Sequence, residues 1–342
     1  MHLPLVVEKG ASLKPYNTFG LPATARALVR ITSEADVRRV VDSPEWGRAP
    51  KFILGGGSNL VFTQDIDRCV LKIEIMGKRL LDTRHDAWIV EIGAGESWHA
   101  TVDWCLSQGL PGLENMALIP GTVGAAPVQN IGAYGVELQD RFESVDVVDL
   151  TTGRTVTLDA ARCQFNYRDS VFKRELAGKA VITRVRLRLP RPWKPLLGYL
   201  ELERKMAETG ITQPDARQIF NWICDIRRAK LPDPAVIGNA GSFFKNPVVT
   251  AEQCSDIIGR DPAVVHYPMT DGTFKLAAGW LIDACGWKGK SIGQAGVYEK
   301  QALVLVNRGG AIGAEVITLA RAIQESVYGR FGIRLEPEPV VV

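Results

Sequence analysis

Several common features are missing from this sequence, and each absence excludes a class of protein. The six cysteines are widely spaced and form no C-x-x-C pair, which excludes zinc knuckles and thioredoxin-type redox motifs. The four histidines stand alone, so neither a hydrolase triad nor a metal site is indicated. The net charge is only +3, with both signs interspersed, and this balance does not indicate a nucleic-acid-binding face. We therefore expect reduced thiols, no bound metal and no nucleic-acid partner.

Long apolar runs are missing as well. No stretch approaches the roughly 18 apolar residues that a membrane span needs. The apolar run from Leu3 to Val7 is too short for a signal peptide, and no basic region precedes it. Of the 342 residues, 46% are hydrophobic and 23% are charged, which is typical of a globular protein with two or three domains. We expect a cytoplasmic protein that does not insert into a membrane.

The hydrophobic pattern predicts an α+β fold, with most strands before about residue 190 and a mixed pattern after it. The main predicted strands are 51–54, 69–75, 87–92, 142–150, 154–158, 181–189 and 302–306, and the main predicted helices are 96–108, 214–228, 276–285 and 313–328. On the sixth strand, apolar residues alternate with Arg184, Arg186 and Arg188. This pattern favours a solvated strand face over a phosphate-binding track. The break at Arg191–Pro195 predicts a domain boundary.

Three local signals predict particular turns and helix ends. Ser33 and Thr250 each begin a capping box, which predicts that a helix starts there. The strands at 142–150 and 154–158 flank Thr152-Gly153, which predicts a hairpin.

Two glycine-dense loops are the main candidates for a cofactor site. In the first, Leu54–Leu60, three consecutive glycines allow backbone N–H groups to converge on an anion. In the second, Ile119–Gly135, small residues allow the backbone to lie against a flat ligand. Either loop alone could be a structural turn, but the two together favour a large cofactor that carries phosphate. A Rossmann site is not predicted, because Trp98 stands where the third glycine of that fingerprint should be.

Three further clusters carry polar residues that could take part in chemistry. Arg168 lies between aromatic and acidic residues in Phe165–Ser170, a setting that a structural salt bridge would also explain. In Gly238–Pro247, a Phe-Phe pair beside Gly-Ser and Lys-Asn predicts a polar site on an exposed aromatic wall. The segment Leu335–Glu338 places two acidic residues near the end of the chain, where such residues are commonly solvated.

These motifs, taken in order along the chain, resemble those of one enzyme family. They are Asn17–Gly20, Gly55–Leu60, Pro111–Glu114, Ile119–Gly135, Tyr167–Ser170, Gly241–Pro247 and Leu335–Glu338. Together they resemble the UDP-N-acetylenolpyruvoylglucosamine reductases, the MurB family of bacterial peptidoglycan synthesis. The resemblance extends from Lys14 to Glu338. The insertion at 194–209, with Tyr199, resembles the substrate-closing loop of the longer, type I members.

The resemblance implies a fold and a division into domains. The fold is the FAD-binding fold of the vanillyl-alcohol-oxidase (PCMH) type in two subdomains, followed by a C-terminal α+β substrate-binding domain. The implied boundaries are 1–70 for the first FAD-binding subdomain, 71–192 for the second and 193–342 for the substrate-binding domain. The third domain would carry the substrate-closing loop and a catalytic C-terminal tail.

The resemblance also implies an activity. The chain would be a flavin-dependent oxidoreductase, a UDP-N-acetylmuramate dehydrogenase, with non-covalent FAD and with NADPH as co-substrate. It would reduce the enolpyruvyl ether of UDP-N-acetylglucosamine to UDP-N-acetylmuramate. This step belongs to peptidoglycan precursor synthesis, and so to cell wall biogenesis, cell shape, cell division and the cell cycle. The implied partners are the two small-molecule substrates, and the expected state is a monomer.

Individual residues receive roles from the same resemblance. Arg168 would hold the negative charge of the reduced substrate, Ser242 would give it a proton, and Glu336 could share a proton if its site is dry. The residues implied to bind the cofactor are Gly55, Gly56, Gly57, Ser58, Asn59, Leu60, Pro120, Gly121, Thr122, Val123, Gly124, Asn130, Gly132, Ala133, Gly135 and Arg168. The residues implied to bind the substrate are Tyr199, Lys230, Ser242, Asn246 and Gln301.

Two other functions remain open from the sequence. A flavin oxidase of the same fold would pass electrons to O₂, and such oxidases often tether the flavin through histidine, which neither glycine loop contains. A nucleotide-binding regulatory protein could have kept the fold without the chemistry. Such a protein has no need for Arg168, Ser242 and Glu336 together, so their joint presence favours an enzyme.

Overall fold

The computed structural model describes residues 5–342, and backbone contacts group them into two compact units. Unit 1 comprises residues 5–11, Ala25–Gly57 and Asp67–Ala229, and unit 2 comprises Ser12–Thr24, Ser58–Ile66 and Lys230–Val342. Each unit is therefore assembled from three separate segments. Residues 193–229 pack with unit 1, whereas the sequence groups them with the substrate-binding domain. The functional division at 70 and 192 stays a prediction. Leu3–Val7 is the apolar run predicted to be too short for a signal peptide, and part of it falls in residues 1–4, outside the described residues.

The secondary structure mixes strands and helices along the chain, as predicted. The strands are β1 (Val7–Ser12), β2 (Thr24–Ile31), β3 (Lys51–Leu54), β4 (Leu60–Val61), β5 (Ile66–Ile73), β6 (Lys78–Thr83), β7 (Ala87–Gly93), β8 (Gly132–Ala133), β9 (Val136–Glu137), β10 (Phe142–Asp149), β11 (Thr155–Leu158), β12 (Ala180–Pro190), β13 (Asn239–Ser242), β14 (Val248–Val249), β15 (His266–Pro268), β16 (Phe274–Leu276), β17 (Ser291–Ile292), β18 (Ala295–Val297), β19 (Val304–Asn307) and β20 (Val340–Val341). The α-helices are α1 (Glu34–Asp42), α2 (Trp98–Ser107), α3 (Ala160–Cys163), α4 (Leu200–Thr209), α5 (Ala216–Lys230), α6 (Ala251–Arg260), α7 (Ala278–Ala284) and α8 (Gly313–Phe331). Short 3-10 helices cover Lys14–Tyr16, Glu114–Met116, Val123–Val128, Leu138–Arg141 and Val171–Lys173.

Unit 1 is built on two sheets. The first has the strand order β1-β2-β5-β3, in which β3 and β5 are parallel. The second has the order β11-β10-β12-β7-β6 and is antiparallel throughout. The hairpin predicted around Thr152-Gly153 is confirmed as β10 and β11. A continuous apolar core includes residues of both sheets and of the helices α2 and α5.

Helix ends in unit 1 follow the capping residues in the sequence. The capping box predicted at Ser33 is confirmed, because its hydroxyl accepts from Asp36 N and the Asp36 carboxylate accepts from Ser33 N. Helix α2 begins at Trp98, two residues later than predicted, because the Ser97 hydroxyl caps it by accepting from Ala100 N. Residues 96 and 97 therefore belong to the preceding loop rather than to the helix.

The arginine row on β12 is neutralised by carboxylates on the neighbouring strands. Arg186 Nη2 lies 2.6 Å from Asp146 Oδ2 and 2.8 Å from Glu91 Oε2. Arg184 and Arg188 also pair with carboxylates. The row therefore forms an ion-pair network on a sheet face, in which Arg186 is largely buried rather than solvated as predicted.

Unit 2 contains a sheet of order β13-β19-β18-β17, a smaller sheet β14-β16-β15, and the parallel pair of β4 with β20. Apolar residues of α7 and α8 pack against these strands in a second core. Helix α6 begins with the capping box predicted at Thr250, which is therefore confirmed. Within residues 5–342, no helix is both long enough and apolar enough to cross a bilayer.

The predicted exposed aromatic wall in unit 2 is wrong. Phe243 and Phe244 are 0% and 1% exposed, and their rings meet edge to face with centroids 5.2 Å apart. The physical reason is local: the β13–β19 register shifts between Asn239 and Ser242, and Gly241 adopts φ +71°. The chain leaves regular strand geometry there, so two successive aromatic side chains enter the core, where they bury large apolar areas.

The ion-pair network of unit 1 yields a test of stability against pH. Burial alone would raise the pKa of Asp146, but hydrogen bonds from Arg186 and Thr157 outweigh it and leave the pKa below its usual value. The native carboxylate is therefore favoured above an unfolded pKa of about 3.9, and this stability is lost as the pH falls through the native pKa. We expect Asp146→Ala to lower the free energy of unfolding at pH 7 by about 2 kcal/mol, and by progressively less as the pH falls from about 3.9 towards the native pKa, for example at about pH 2.5.

Urea denaturation at both pH values measures this difference, with Glu143→Ala as the matched control. Glu143 pairs with Arg84 and Arg188, but these side chains are considerably more exposed. The control should cost less than about 1 kcal/mol. Equal costs for the two variants, or a cost for Asp146→Ala that does not change with pH, would contradict the interpretation.

Candidate functional site

The two glycine loops predicted to bind a cofactor are neighbours in unit 1. A Cβ atom built on Gly55 would lie 2.8 Å from Thr122 Oγ1, and one built on Gly56 would lie 2.9 Å from Gly121 Cα. The contact at Gly56 is with backbone, so a side chain there would force the loops apart, whereas a side chain at Gly55 would displace the Thr122 hydroxyl. Gly57 and Gly121 also have positive φ angles, of +63° and +113°. The sequence pattern thus has a geometric cause, because the backbones of the two loops approach each other closely.

The segment 93–97 supports the second loop. Val123 N donates to Glu96 O at 2.8 Å, and Gly124 N donates to Ala94 O at 2.9 Å. A Cβ on Gly124 would lie 2.5 Å from Ala94 Cβ. The sequence of this segment does not fit a dinucleotide fingerprint, and its supporting role was not predicted. The available signal was two glycines between a strand and a helix, which permit close backbone approach without a Rossmann fold.

The hydrogen bonding of Thr122 Oγ1 indicates whether the two loops could hold a ligand with acceptor oxygens. This oxygen is buried, and among residues 5–342 it has no hydrogen-bond partner. Buried hydroxyl groups are nearly always paired, because leaving one unpaired costs about 1–3 kcal/mol. An unpaired hydroxyl beside a run of three glycines fits a ligand that offers acceptor oxygens. The residues present therefore fit a cofactor that carries phosphate.

The end of the second loop is held in an unusual backbone conformation. Asn130 and Tyr134 both have φ +47°, a region that residues other than glycine seldom occupy. The buried Asn130 side chain holds the turn by donating to Glu137 Oε2 at 2.9 Å and accepting from Gln139 N at 3.0 Å. Such strain persists where the surrounding structure fixes it, commonly at functional sites. Gly132, Ala133 and Gly135 lie in the same turn.

Arg168 lies in unit 1 and contacts the second loop. Its Nη2 donates to Gly132 O at 3.3 Å, and its guanidinium lies 5.4 Å from the centroid of the Tyr167 ring. Its φ of +54° is again unusual. The carboxylate of neighbouring Asp169 pairs with Arg174. The structure therefore brings Arg168 together with the predicted cofactor-binding loop on a fixed turn.

Tyr199 contacts the same loop. Its ring meets that of Tyr134 edge to face, with centroids 5.0 Å apart, and it directly precedes helix α4. The predicted substrate-closing segment thus contains a helix. Tyr134 is also hydrogen-bonded to Arg227 of α5, and burial raises the pKa of Tyr134 and lowers that of Arg227. Arg227 was not predicted as a site residue, although it is a charged residue four positions after the buried Ile223 on the same helix face.

In unit 2, Ser242 and Glu336 lie on two hydrogen-bonded segments. Lys245 N donates to Glu336 O at 2.9 Å, and Glu338 N donates to Phe243 O at 2.8 Å. Ser242 is exposed at the end of β13. The Glu336 side chain is 74% exposed and accepts from Lys245 Nζ at 3.1 Å. The dry site that proton sharing by Glu336 would need is therefore not seen, and the role of Glu336 stays a prediction.

The continuation of the first loop fixes the C-terminal tail in unit 2. Asn59 Nδ2 donates to Glu338 O at 3.2 Å, and Val340 N donates to Asn59 O at 2.9 Å. Leu60 then pairs with Val340 as β4 and β20. Asn59, Leu60 and the adjoining Ser58, predicted as cofactor-binding residues, thus lie in or beside a segment that positions the tail carrying Glu336.

Two of the predicted substrate-binding residues meet at helix α7. Asn246 Oδ1 accepts from Ala278 N at 3.0 Å, at the first residue of the helix. Gln301 Oε1 lies 2.9 Å from where a Cβ of Gly279 would be, so glycine makes room for it. Lys230, the last residue of α5, is exposed.

Comparisons with known proteins agree with this architecture. The C-terminal domain of UDP-N-acetylenolpyruvoylglucosamine reductase matches residues 233–342, and an FAD binding domain matches residues 25–159. The UDP-N-acetylenolpyruvoylglucosamine reductase of Azoarcus sp. (strain BH72) is 56% identical over 99% of this chain and 99% of its own length. That of Burkholderia vietnamiensis (strain G4 / LMG 22486) is 56% identical over 98% of this chain and 97% of its own length.

A solved structure agrees as well. The crystal structure of UDP-N-acetylenolpyruvylglucosamine reductase (MurB) from Thermus caldophilus matches with a TM-score of 0.67 and 26% identity, over 98% of this chain and 99% of that one. The predicted fold class, an FAD-binding fold followed by a C-terminal α+β domain, is confirmed. The chain belongs to the UDP-N-acetylenolpyruvoylglucosamine reductases, the MurB family of flavin-dependent oxidoreductases.

Proposed function

We propose that this chain reduces the enolpyruvyl ether of UDP-N-acetylglucosamine to UDP-N-acetylmuramate, with non-covalent FAD as cofactor and NADPH as hydride donor. The main support is the close packing of the two glycine loops beside the unpaired Thr122 hydroxyl, in a chain 56% identical to named reductases. We place the reaction in the cytoplasm, as a step in cell wall precursor synthesis that serves cell shape and division, and we expect a monomer.

The loops of unit 1 hold the cofactor in this proposal. The backbone of Gly55–Gly57 and the Thr122 hydroxyl would hold its phosphates, and the turn at Asn130–Gly135 would hold its flat ring. When bound, FAD supplies the redox chemistry by taking a hydride from NADPH and passing it to the terminal vinyl carbon of the substrate. Neither loop contains a histidine or cysteine, which favours a non-covalent cofactor.

Arg168 is assigned to the negative charge that develops on the substrate. Hydride addition to the vinyl group makes the adjacent carbon carbanion-like, and the charge spreads into the neighbouring carboxylate. A guanidinium keeps its charge at any working pH and can bind a carboxylate with two parallel hydrogen bonds. Because its turn is fixed by contacts to the second loop, Arg168 needs little reorganisation as the charge appears.

Ser242 is assigned to the proton that completes the reduction. Its hydroxyl is exposed at the end of β13, so a substrate can reach it. Glu336 lies on the paired segment, where its carboxylate already accepts a hydrogen bond from Lys245. We therefore give the proton transfer to Ser242 and retain Glu336 as a second catalytic group.

The remaining predicted residues bind the sugar nucleotide. Lys230 offers a cation to its diphosphate, and the side-chain amides of Asn246 and Gln301 offer donors at the start of α7. Tyr199 closes on the substrate from the segment that contains α4.

A single spectroscopic experiment tests this function against its rivals. The purified protein should show the absorption bands of oxidised flavin, which NADPH should bleach and the enolpyruvyl substrate should restore. Acid precipitation should release the flavin. Recovery of the bands by O₂ at least as fast as by substrate would favour an oxidase. A protein that consumes no NADPH in the presence of substrate would favour a regulatory role.

Replacing Ser242 by alanine should separate the two halves of the reaction. Proton transfer belongs only to the second half, so flavin reduction by NADPH should stay near normal. Flavin reoxidation by the enolpyruvyl substrate should slow by on the order of 10²–10⁴-fold, the usual contribution of a positioned acid. Stopped-flow absorbance measures both halves, and Ser242→Cys should recover part of the activity because a thiol also carries a proton.

The control for this experiment is Ser255→Ala, which removes another exposed serine of unit 2, on helix α6. It should leave both halves unchanged. Equal slowing of both halves in Ser242→Ala would indicate damage to the fold or loss of cofactor. Unchanged reoxidation would remove Ser242 from the mechanism.

Replacing Gly56 by valine should abolish FAD binding. A Cβ at this position would lie 2.9 Å from Gly121 Cα, so the side chain would separate the two loops. Gly198→Val is the control, because a Cβ there meets nothing within 4 Å. The flavin-to-protein absorbance ratio after purification measures the effect. A full complement of FAD in Gly56→Val would exclude these loops as the phosphate site.

A further inference from the structure

Lys72 of strand β5 donates a hydrogen bond to the first residue of the first glycine loop. Its Nζ lies 2.6 Å from Gly55 O. The parallel pairing of β3 with β5 places Lys72 opposite Leu54, the residue that directly precedes the loop. The side chain is half-buried, so its ammonium is held at the base of the loop. Among the residues assigned above to the cofactor only Arg168 carries a full charge, and it contacts Gly132 of the second loop rather than the first loop.

The surroundings of Lys72 leave its charge without a matching anion. The adjacent carboxylate of Glu74 pairs with Arg30 at 2.7 Å, and no carboxylate among residues 5–342 forms an ion pair with Lys72. Burial lowers the pKa of Lys72, Arg30 adds to this effect, and Glu74 partly offsets it. An ammonium carries three N–H donors, and in the described part of the chain only Gly55 O accepts from them. The site therefore has an excess of positive charge and of donors.

We propose that Lys72 supplies the fixed cation for the pyrophosphate of the dinucleotide cofactor, held at the Gly55–Gly57 loop by its hydrogen bond to the Gly55 carbonyl. This inference rests on the assignment of that loop to FAD. The backbone N–H groups of a glycine loop provide only partial charges, whereas a pyrophosphate carries two full negative charges. A cation at the base of the loop completes the match without a side chain on the loop itself, where the backbone of the second loop leaves no room for one at Gly56.

Lys51 provides a matched control on the neighbouring strand. It is also half-buried, burial likewise lowers its pKa, and its Nζ donates to Gly47 O at 2.7 Å and Ala49 O at 3.1 Å. It lies at the opposite end of β3 from the glycine loop, three residues from Leu54, which is roughly 10 Å along a strand. Because side chains alternate along a strand, Lys51 and Lys72 occupy opposite faces of the sheet.

The test is a titration of flavin-free full-length protein with FAD, in which quenching of flavin fluorescence measures binding. Lys72→Met should raise the Kd for FAD by on the order of 10–100-fold at low salt, the usual effect of losing a charged hydrogen-bond partner. The ratio of variant to wild-type Kd should shrink at about 0.5 M salt, where charges are screened. Lys72→Gln should behave like Lys72→Met, Lys72→Arg should retain most of the affinity, and Lys51→Met should match the wild type.

Each result decides the proposal. It is overturned if Lys72→Met and Lys72→Gln bind FAD within twofold of the wild type, if their loss is independent of salt, or if Lys51→Met loses as much. Thermal melting of the flavin-free proteins shows which variants fold. If Lys72→Met does not fold, Lys72→Gln still tests the charge, because its side chain keeps a neutral hydrogen-bond donor. A wild-type protein that fails to bind FAD would instead contradict the proposed function, so the two failures are distinguishable.

Discussion

The close approach of two backbones at Gly55–Gly56 and Gly121–Thr122 is the constraint on which the site depends. At these distances a side chain on either glycine would collide with the other loop. The second loop is in turn fixed by backbone hydrogen bonds to Ala94 and Glu96. Strand ends, rather than a helix N-terminus, therefore set the geometry of the proposed phosphate site. This explains why glycine loops occur here without a Rossmann pattern.

Cations in unit 1 differ in whether a carboxylate faces them, and this difference separates structural charges from the one proposed to bind a ligand. The guanidinium of Arg186 is matched by Asp146 and Glu91 on adjacent strands, so it stabilises the sheet. Within residues 5–342 the Lys72 ammonium has only the Gly55 carbonyl oxygen as acceptor, and it lies at the loop proposed to bind FAD. A sequence row of arginines is therefore a weaker indication of a phosphate site than a single unmatched cation beside a glycine run.

The sequence predicted elements whose signals are local. Capping at Ser33, the hairpin at Thr152-Gly153 and the alternation on β12 all depend on neighbours within a few residues, and all are confirmed. The error at Phe243-Phe244 arose because the two rings are buried by an irregularity in β13, which no period in the sequence reveals. Arg227 was missed for a related reason, since its partner Tyr134 is distant in the chain.

The pairing of Ser242 with the C-terminal tail illustrates the remaining gap between sequence and site. Backbone hydrogen bonds between the segments at 243–245 and 336–338 bring the two motifs together, and Asn59 holds the tail from a third segment. The bonds between the two motifs join backbone atoms and do not depend on side-chain type, so composition could not predict them. Only the bond from Asn59 uses a side-chain amide. Each motif could be recognised in the sequence by itself, but the alignment of one against the other is set by the folded backbone. The ion pair between Lys245 and Glu336 follows from that registration, because the hydrogen bond from Lys245 N to Glu336 O places the two residues side by side.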